Sequence, residues 1–124
     1  MSNPRLSWAR KFYLAARGVA WAFRTQVNFR VHLALAVAVV AAAAVLQCNL
    51  VEWCVLVLCI TTVLAAETFN TALEHLARAV TREHNEEIRN ALDTAAGAVL
   101  LTALGAATVG AVILGNRLVE WLAA

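Results

Sequence analysis

The chain has 124 residues, 62% of them hydrophobic and 15% charged, with a mean hydropathy of +0.71 and a formal net charge of +2. A soluble domain carries about 45–50% apolar residues, and so short a chain cannot bury the excess in one core. A soluble fold is thereby excluded, and the composition predicts an all-α integral membrane protein in one domain, residues 1–124.

At the N-terminus, SNP (2–4) reads as a helix start, with Asn3 as cap and Pro4 in the first turn. At about 100° per residue, Arg10, Arg17 and Arg24 fall within about 40° of one another. Trp8, Phe12, Val19 and Phe23 cluster on the opposite face. This pattern predicts an amphipathic interfacial helix over about residues 4–27. Leu14 and Trp21 fall near the arginine stripe, a position from which they meet another helix. Six basic residues (Arg5, Arg10, Lys11, Arg17, Arg24 and Arg30) are spread along this segment without any acid. They suit anionic headgroups better than nucleic acid, and their spread does not read as a cleaved signal peptide.

QVNFRVHL (26–33) joins this helix to a first span over about residues 30–48. Between Arg30 and Glu52 lie 21 positions without charge, enough to cross a bilayer. The short loop that follows contains Asn49 and suits a tight helical hairpin. A second span, about 52–80, begins with the uncharged run WCVLVLCITTVLAA and reaches crossing length only if ETFNTALE (67–74) is helical too. REHNEEIRN (82–90) is a polar break. The third span, about 90–117, contains 23 uncharged positions between Asp93 and Arg117 and is rich in Ala and Gly, which lets helices approach closely.

The basic N-terminal segment, together with Arg78, Arg82 and Arg89 between spans two and three, predicts that both face the cytoplasm. Cys48, Cys54 and Cys59 lack metal-site spacing and read as free, apolar-packed thiols. His32, His75 and His84 read as structural or interfacial residues.

ETFNTALE is the stretch that points to chemistry. On a helix, Asn70 lies at about −60°, Thr71 at about +40° and Glu74 at about −20° relative to Glu67. Four polar side chains thus share one stripe at the cytoplasmic end of a greasy span. Ionisable residues at this depth are costly and face a bundle interior or wet cavity, so the stripe is a structural seam, an active site or a transport site. Two carboxylates and an amide suit a magnesium-assisted reaction, with one carboxylate free to act as a general base. Asp93 adds an acid at similar depth, and the arginines offer charge for a polyphosphate. A proton-coupled transporter would use similar parts. No GxxxxGK[ST] or GxGxxG motif is present.

In order, NFRVHL, AAETFNTALE and ALDTAAGAVLL resemble the prokaryotic diacylglycerol kinase family of small membrane lipid kinases, which includes undecaprenol kinases. The resemblance runs from about Arg10 to Leu101. It implies a homotrimer of the bacterial cytoplasmic membrane, each chain having three transmembrane helices preceded by the interfacial helix. It also implies active sites at the cytoplasmic face, built from neighbouring subunits, with a membrane lipid and not nucleic acid as the expected partner. The implied reaction transfers the γ-phosphoryl of ATP, with Mg2+, to the primary hydroxyl of diacylglycerol or undecaprenol.

By position, Glu67 matches the family's general base and Asn70 its partner; Glu74 matches a metal-binding glutamate. Asp93 supports the nucleotide, and Arg10, Arg17 and Arg78 are the arginines assigned to it. Three positions depart from the family pattern. Gln26 stands where a second metal-binding glutamate is expected, Leu92 where a phosphate-contacting lysine is usual, and Arg78 where an aspartate is common. Arg78, or secondarily Arg89, is the candidate replacement for the missing lysine charge. Gln26 and Leu92 also leave open a catalytically weakened member with a lipid-binding or scaffold role.

Overall fold

The structure is a computed structural model that describes residues 6–124. The expected Asn3 cap and Pro4 lie outside the described residues. Four helices follow in chain order: α1 (Trp8–Thr25), α2 (Val27–Val45), α3 (Leu50–Val80) and α4 (Glu86–Ala123). There is no strand among the described residues, and α2, α3 and α4 are each long and apolar enough to cross a membrane. The all-α membrane fold read from composition is therefore the observed one, with α1 preceding the three spans.

Local chemistry explains where each helix starts. The Ser7 side chain accepts from the Arg10 amide at 3.3 Å and caps α1. Asn49 and Glu52 form a reciprocal capping box on α3, each side chain accepting from the other's amide at 2.9 Å. The Asn85 side chain accepts from the Ile88 amide at 3.1 Å, and Glu86 and Glu87 occupy the first turn of α4, where negative charge suits the helix dipole.

Two connections are shorter than the sequence suggests. QVNFRVHL is broken only at Gln26, whose extended backbone (φ −113°, ψ 116°) makes the elbow before α2 resumes at Val27. Of REHNEEIRN, everything from Glu86 onward is already helix. In both cases polar side chains project from the helix without interrupting its backbone ladder. The α2–α3 hairpin turns through Gln47, whose φ of 55° lies in the left-handed region.

The 31 residues of α3 and 38 of α4 rise about 46 and 57 Å at 1.5 Å per residue. A hydrocarbon core of about 30 Å therefore leaves turns projecting beyond it.

Packing follows a seven-residue seam. α2 buries Phe29, Ala36 and Ala43, and α3 buries Leu56, Val63 and Asn70. A repeat of seven keeps one face of each helix toward its partner, and the alanines allow close approach. α4 packs along α3 but fully buries no side chain within the chain. Its Leu101 is 73% exposed and its Val112 65%, leaving an apolar surface for lipid or a partner.

At the hairpin end, Ala43, Cys48 and Leu56 form a small core covered by Val39, Trp53, Ile113 and Leu114. All three cysteines are free thiols, and Cys48 packs as a small apolar residue. Beside this core, Arg117 of α4 donates from Nε to Glu52 Oε1 at 2.8 Å and also reaches Glu120 at 3.5 Å. Glu52 thus caps α3 and anchors α4 at once.

Replacing Arg117 with alanine should lower the thermal midpoint in detergent, because Glu52 loses its counter-ion. The exchange Glu52→Arg with Arg117→Glu should recover only part of the loss, since the capping box is not rebuilt. Thermal scans of the single and double variants check both outcomes.

Candidate active site

The polar stripe of α3 forms as its helical spacing requires. Glu67, Asn70 and Thr71 are all buried, at 3%, 8% and 3% exposure. Each turns toward the packed side of α3 because the same seam already carries Leu56 and Val63 inward. Burying such groups is costly unless partners meet them. The Asn70 amide donates from Nδ2 to Glu74 Oε1 at 3.0 Å, one turn away. Glu67 is met from α2, where His32 Nε2 lies 3.6 Å from its Oε2. Asn70 Oδ1 is buried and has no hydrogen-bond partner among the described residues, so it remains a free acceptor within the stripe.

The elbow before α2 comes to the same region. Gln26 Nε2 lies 3.4 Å from His75 Nε2 on α3, and Trp21 of α1 packs edge-on against the His75 ring with centroids 4.6 Å apart. Trp21 thus meets another helix, as its place beside the arginine stripe implies. Because His75 directly follows Glu74, these contacts bring the Gln26 side chain alongside the end of the stripe. Phe23 and Phe29 stack edge-to-face across the elbow at 6.5 Å and fix the angle between α1 and α2.

Two cavities flank the stripe. A polar one of about 450 Å³ lies under the α3–α4 loop; its lining includes Glu74, Arg78, Arg82, Arg89, Leu92 and Asp93. Within it, Arg78 pairs with Glu74 and Arg89 with Asp93, each at 4.0 Å. An apolar groove of about 550 Å³ runs between α2, α3 and α4, from His32 past Val63 and Ala107 to Leu114. His32 borders this groove and touches Glu67, whereas Glu74 borders the polar cavity and holds Asn70. The stripe therefore lies between the two cavities, one end near each.

The fold brings Glu67, Asn70, Glu74, Arg78, Gln26 and Asp93 to one end of the bundle. Arg10 and Arg17 are exposed on α1 and line neither cavity within this chain. Arg10 instead lies over the Tyr13 ring at 5.1 Å. No group of three or more His, Cys, Asp or Glu side chains gathers as a metal cluster among the described residues.

The sequence reads His32 and His75 as structural or interfacial and Arg82 as a loop cation, and the fold places all three beside the stripe or its polar cavity. A signal for His32 existed: it lies three residues after Phe29 and four before Ala36, on the face that the seven-residue spacing buries. His75 and Arg82 gave no comparable signal, since their partners or neighbours come from other parts of the chain.

The family model for prokaryotic diacylglycerol kinase matches residues 13–114. A diacylglycerol kinase of Synechocystis sp. is 42% identical over 104 residues, which cover 83% of this chain and 59% of that relative. The chain thus spans about three fifths of that protein's length. An undecaprenol kinase of Bacillus subtilis is 34% identical over 104 residues, covering 84% of this chain and 85% of the relative. A match this extensive, on a three-span helical membrane fold, identifies the chain as a member of the prokaryotic diacylglycerol kinase family.

Proposed function

We propose that this protein is a membrane lipid kinase that transfers the γ-phosphoryl group of ATP to the primary hydroxyl of diacylglycerol or undecaprenol. The observation that carries the reading is the buried polar stripe of α3, with Glu67 beside His32 at the apolar groove and Glu74, held by Asn70, on the wall of the polar cavity. A lipid kinase needs a greasy acceptor and a polyanionic donor to meet at one base, and this geometry supports such a meeting. The basic residues of α1 and of the α3–α4 loop favour a cytoplasmic site in the bacterial inner membrane. The apolar faces left open on α4 and the separation of Arg10 and Arg17 from the polar cavity support a homotrimer in which neighbouring copies complete each site.

In the proposed reaction, Glu67 accepts the proton of the lipid hydroxyl as its oxygen attacks the γ-phosphorus. The new O–P bond forms as the bond to the β–γ bridging oxygen breaks, and the electron pair leaves with ADP. Asn70 orients the reacting groups through its unpaired Oδ1 while holding Glu74 with its amide. Arg78 and Arg89, on the walls of the polar cavity that Leu92 shares, supply cationic charge in place of the family's lysine. Asp93 holds Arg89 in position there.

The donor set fits magnesium. The ion takes one or two carboxylates with substrate phosphates, and Glu74 and Gln26 offer one carboxylate and one amide carbonyl. Gln26 engages His75 through its nitrogen, which leaves the carbonyl oxygen for a cation. When bound there, magnesium would neutralise the charge of the polyphosphate. The catalytically weakened alternative rests on Gln26 and Leu92, and the arginine-lined cavity around Leu92 favours the active reading.

Radiolabelled ATP offered with a panel of lipids in detergent, with and without magnesium, tests the proposal. Lipid-dependent label transfer is expected, and its absence for every lipid would favour the scaffold role. Glu67→Gln should reduce turnover by about 10²–10⁴-fold, the usual contribution of a general base, while ATP binding persists.

Arg78→Ala should lower the rate with saturating lipid by about tenfold or more, because an uncompensated phosphoryl charge is then left in the polar cavity. Unchanged activity would remove Arg78 from the site and leave it as a headgroup contact.

A further inference from the structure

The base in the proposed reaction makes only one ion pair among the described residues. Glu67 is 3% exposed, among the described residues no hydrogen bond reaches its side chain, and its polar contact across helices is His32 at 3.6 Å. Asn70, one turn along, is committed to Glu74 instead. The carboxylate thus has a single polar neighbour on the facing helix to set which way its oxygens point. His32 is well placed to make the choice. It is fixed on α2 between the buried Phe29 and Ala36, and it also borders the apolar groove.

We propose that His32 is a positioning residue for phosphoryl transfer, holding one oxygen of Glu67 so that the other faces an acceptor hydroxyl at the head of the groove. This deepens the kinase reading and rests on it. At 3.6 Å the contact is longer than a hydrogen bond, and the role requires it to tighten in the substrate complex, as catalytic contacts commonly do. The role calls for an N–H donor at the position of Nε2. A side chain of similar reach that keeps a donor should therefore serve, and an apolar one of similar size should not.

Purified full-length protein carrying His32→Leu or His32→Gln is assayed with radiolabelled ATP and lipid, alongside the wild type. His32→Leu should lower kcat by about 10- to 100-fold, the cost of a base displaced by about 1 Å, with the KM for ATP unchanged. His32→Gln should recover most of that loss. Thermal midpoints of His32→Leu, Glu67→Gln and their combination should be non-additive, which reports the contact independently of turnover. Wild-type kcat in His32→Leu, equal losses in both His32 variants, or additive midpoints would overturn the positioning role alone. A wild type that phosphorylates no lipid would instead overturn the kinase reading, and this role with it.

Discussion

Within a bilayer there is no water to satisfy a carboxylate, so a helix that carries one must present it to another part of the protein. Glu67 imposes that condition on the whole chain. Its helix has to lie against α2 at the depth of His32, and the contact is reached because Ala36 and Ala43 let the two backbones approach. The position of His32 depends in turn on where α2 begins, which is set by the single extended residue Gln26 and by the Phe23–Phe29 stack. Elbow, seam and stripe form one mechanical unit. A change at any of them is felt at the carboxylate.

Much of this is legible in the amino-acid sequence alone. Composition and charge-free length sufficed for the three spans, because lipid admits few alternatives to a helix. The stripe Glu67–Asn70–Glu74 could be drawn from the 100° step, since all its members lie on one helix. The local signals were also sound where they concerned a single turn, as Asn49 at the hairpin shows. The extent of the polar breaks was less legible. Gln26 alone and the short α3–α4 connection carry the turns, and polar residues such as Arg30 and Arg89 continue in helix because their side chains project from it.

Pairings between helices were not readable in this way. His32 belongs to Glu67 and His75 to Gln26, each across a long stretch of chain, and no periodicity within one helix reveals the partner. Glu52 and Arg117 were read only as ends of charge-free runs. They are in fact each other's counter-ions and pin α3 to α4 at the hairpin end. The ends of the uncharged runs were thus also the points where the bundle is tied. The sequence showed where charge resumes, but only the fold shows what that charge holds.

The departures from the family pattern acquire a physical meaning in this setting. Gln26 lies at the elbow and shares His75 with Trp21, so its amide serves the packing of α1 as well as any cation beside Glu74. A glutamate there would add a second negative charge to the proposed metal side, and the amide avoids that charge while keeping an oxygen available. Leu92 removes a cation from the polar cavity, yet Arg78, Arg82 and Arg89 border the same space. Where the family commonly has an aspartate at position 78, this chain adds positive charge next to Glu74. In the proposed site an amide therefore stands in place of a carboxylate on the metal side, and Arg78 of α3 brings positive charge to the cavity that Leu92 of α4 also lines. Arg78 and Leu92 line the polar cavity, whereas Glu67 lies buried at the other end of the stripe beside His32 of α2, so substitutions in that cavity leave the proposed base and its neighbour in place.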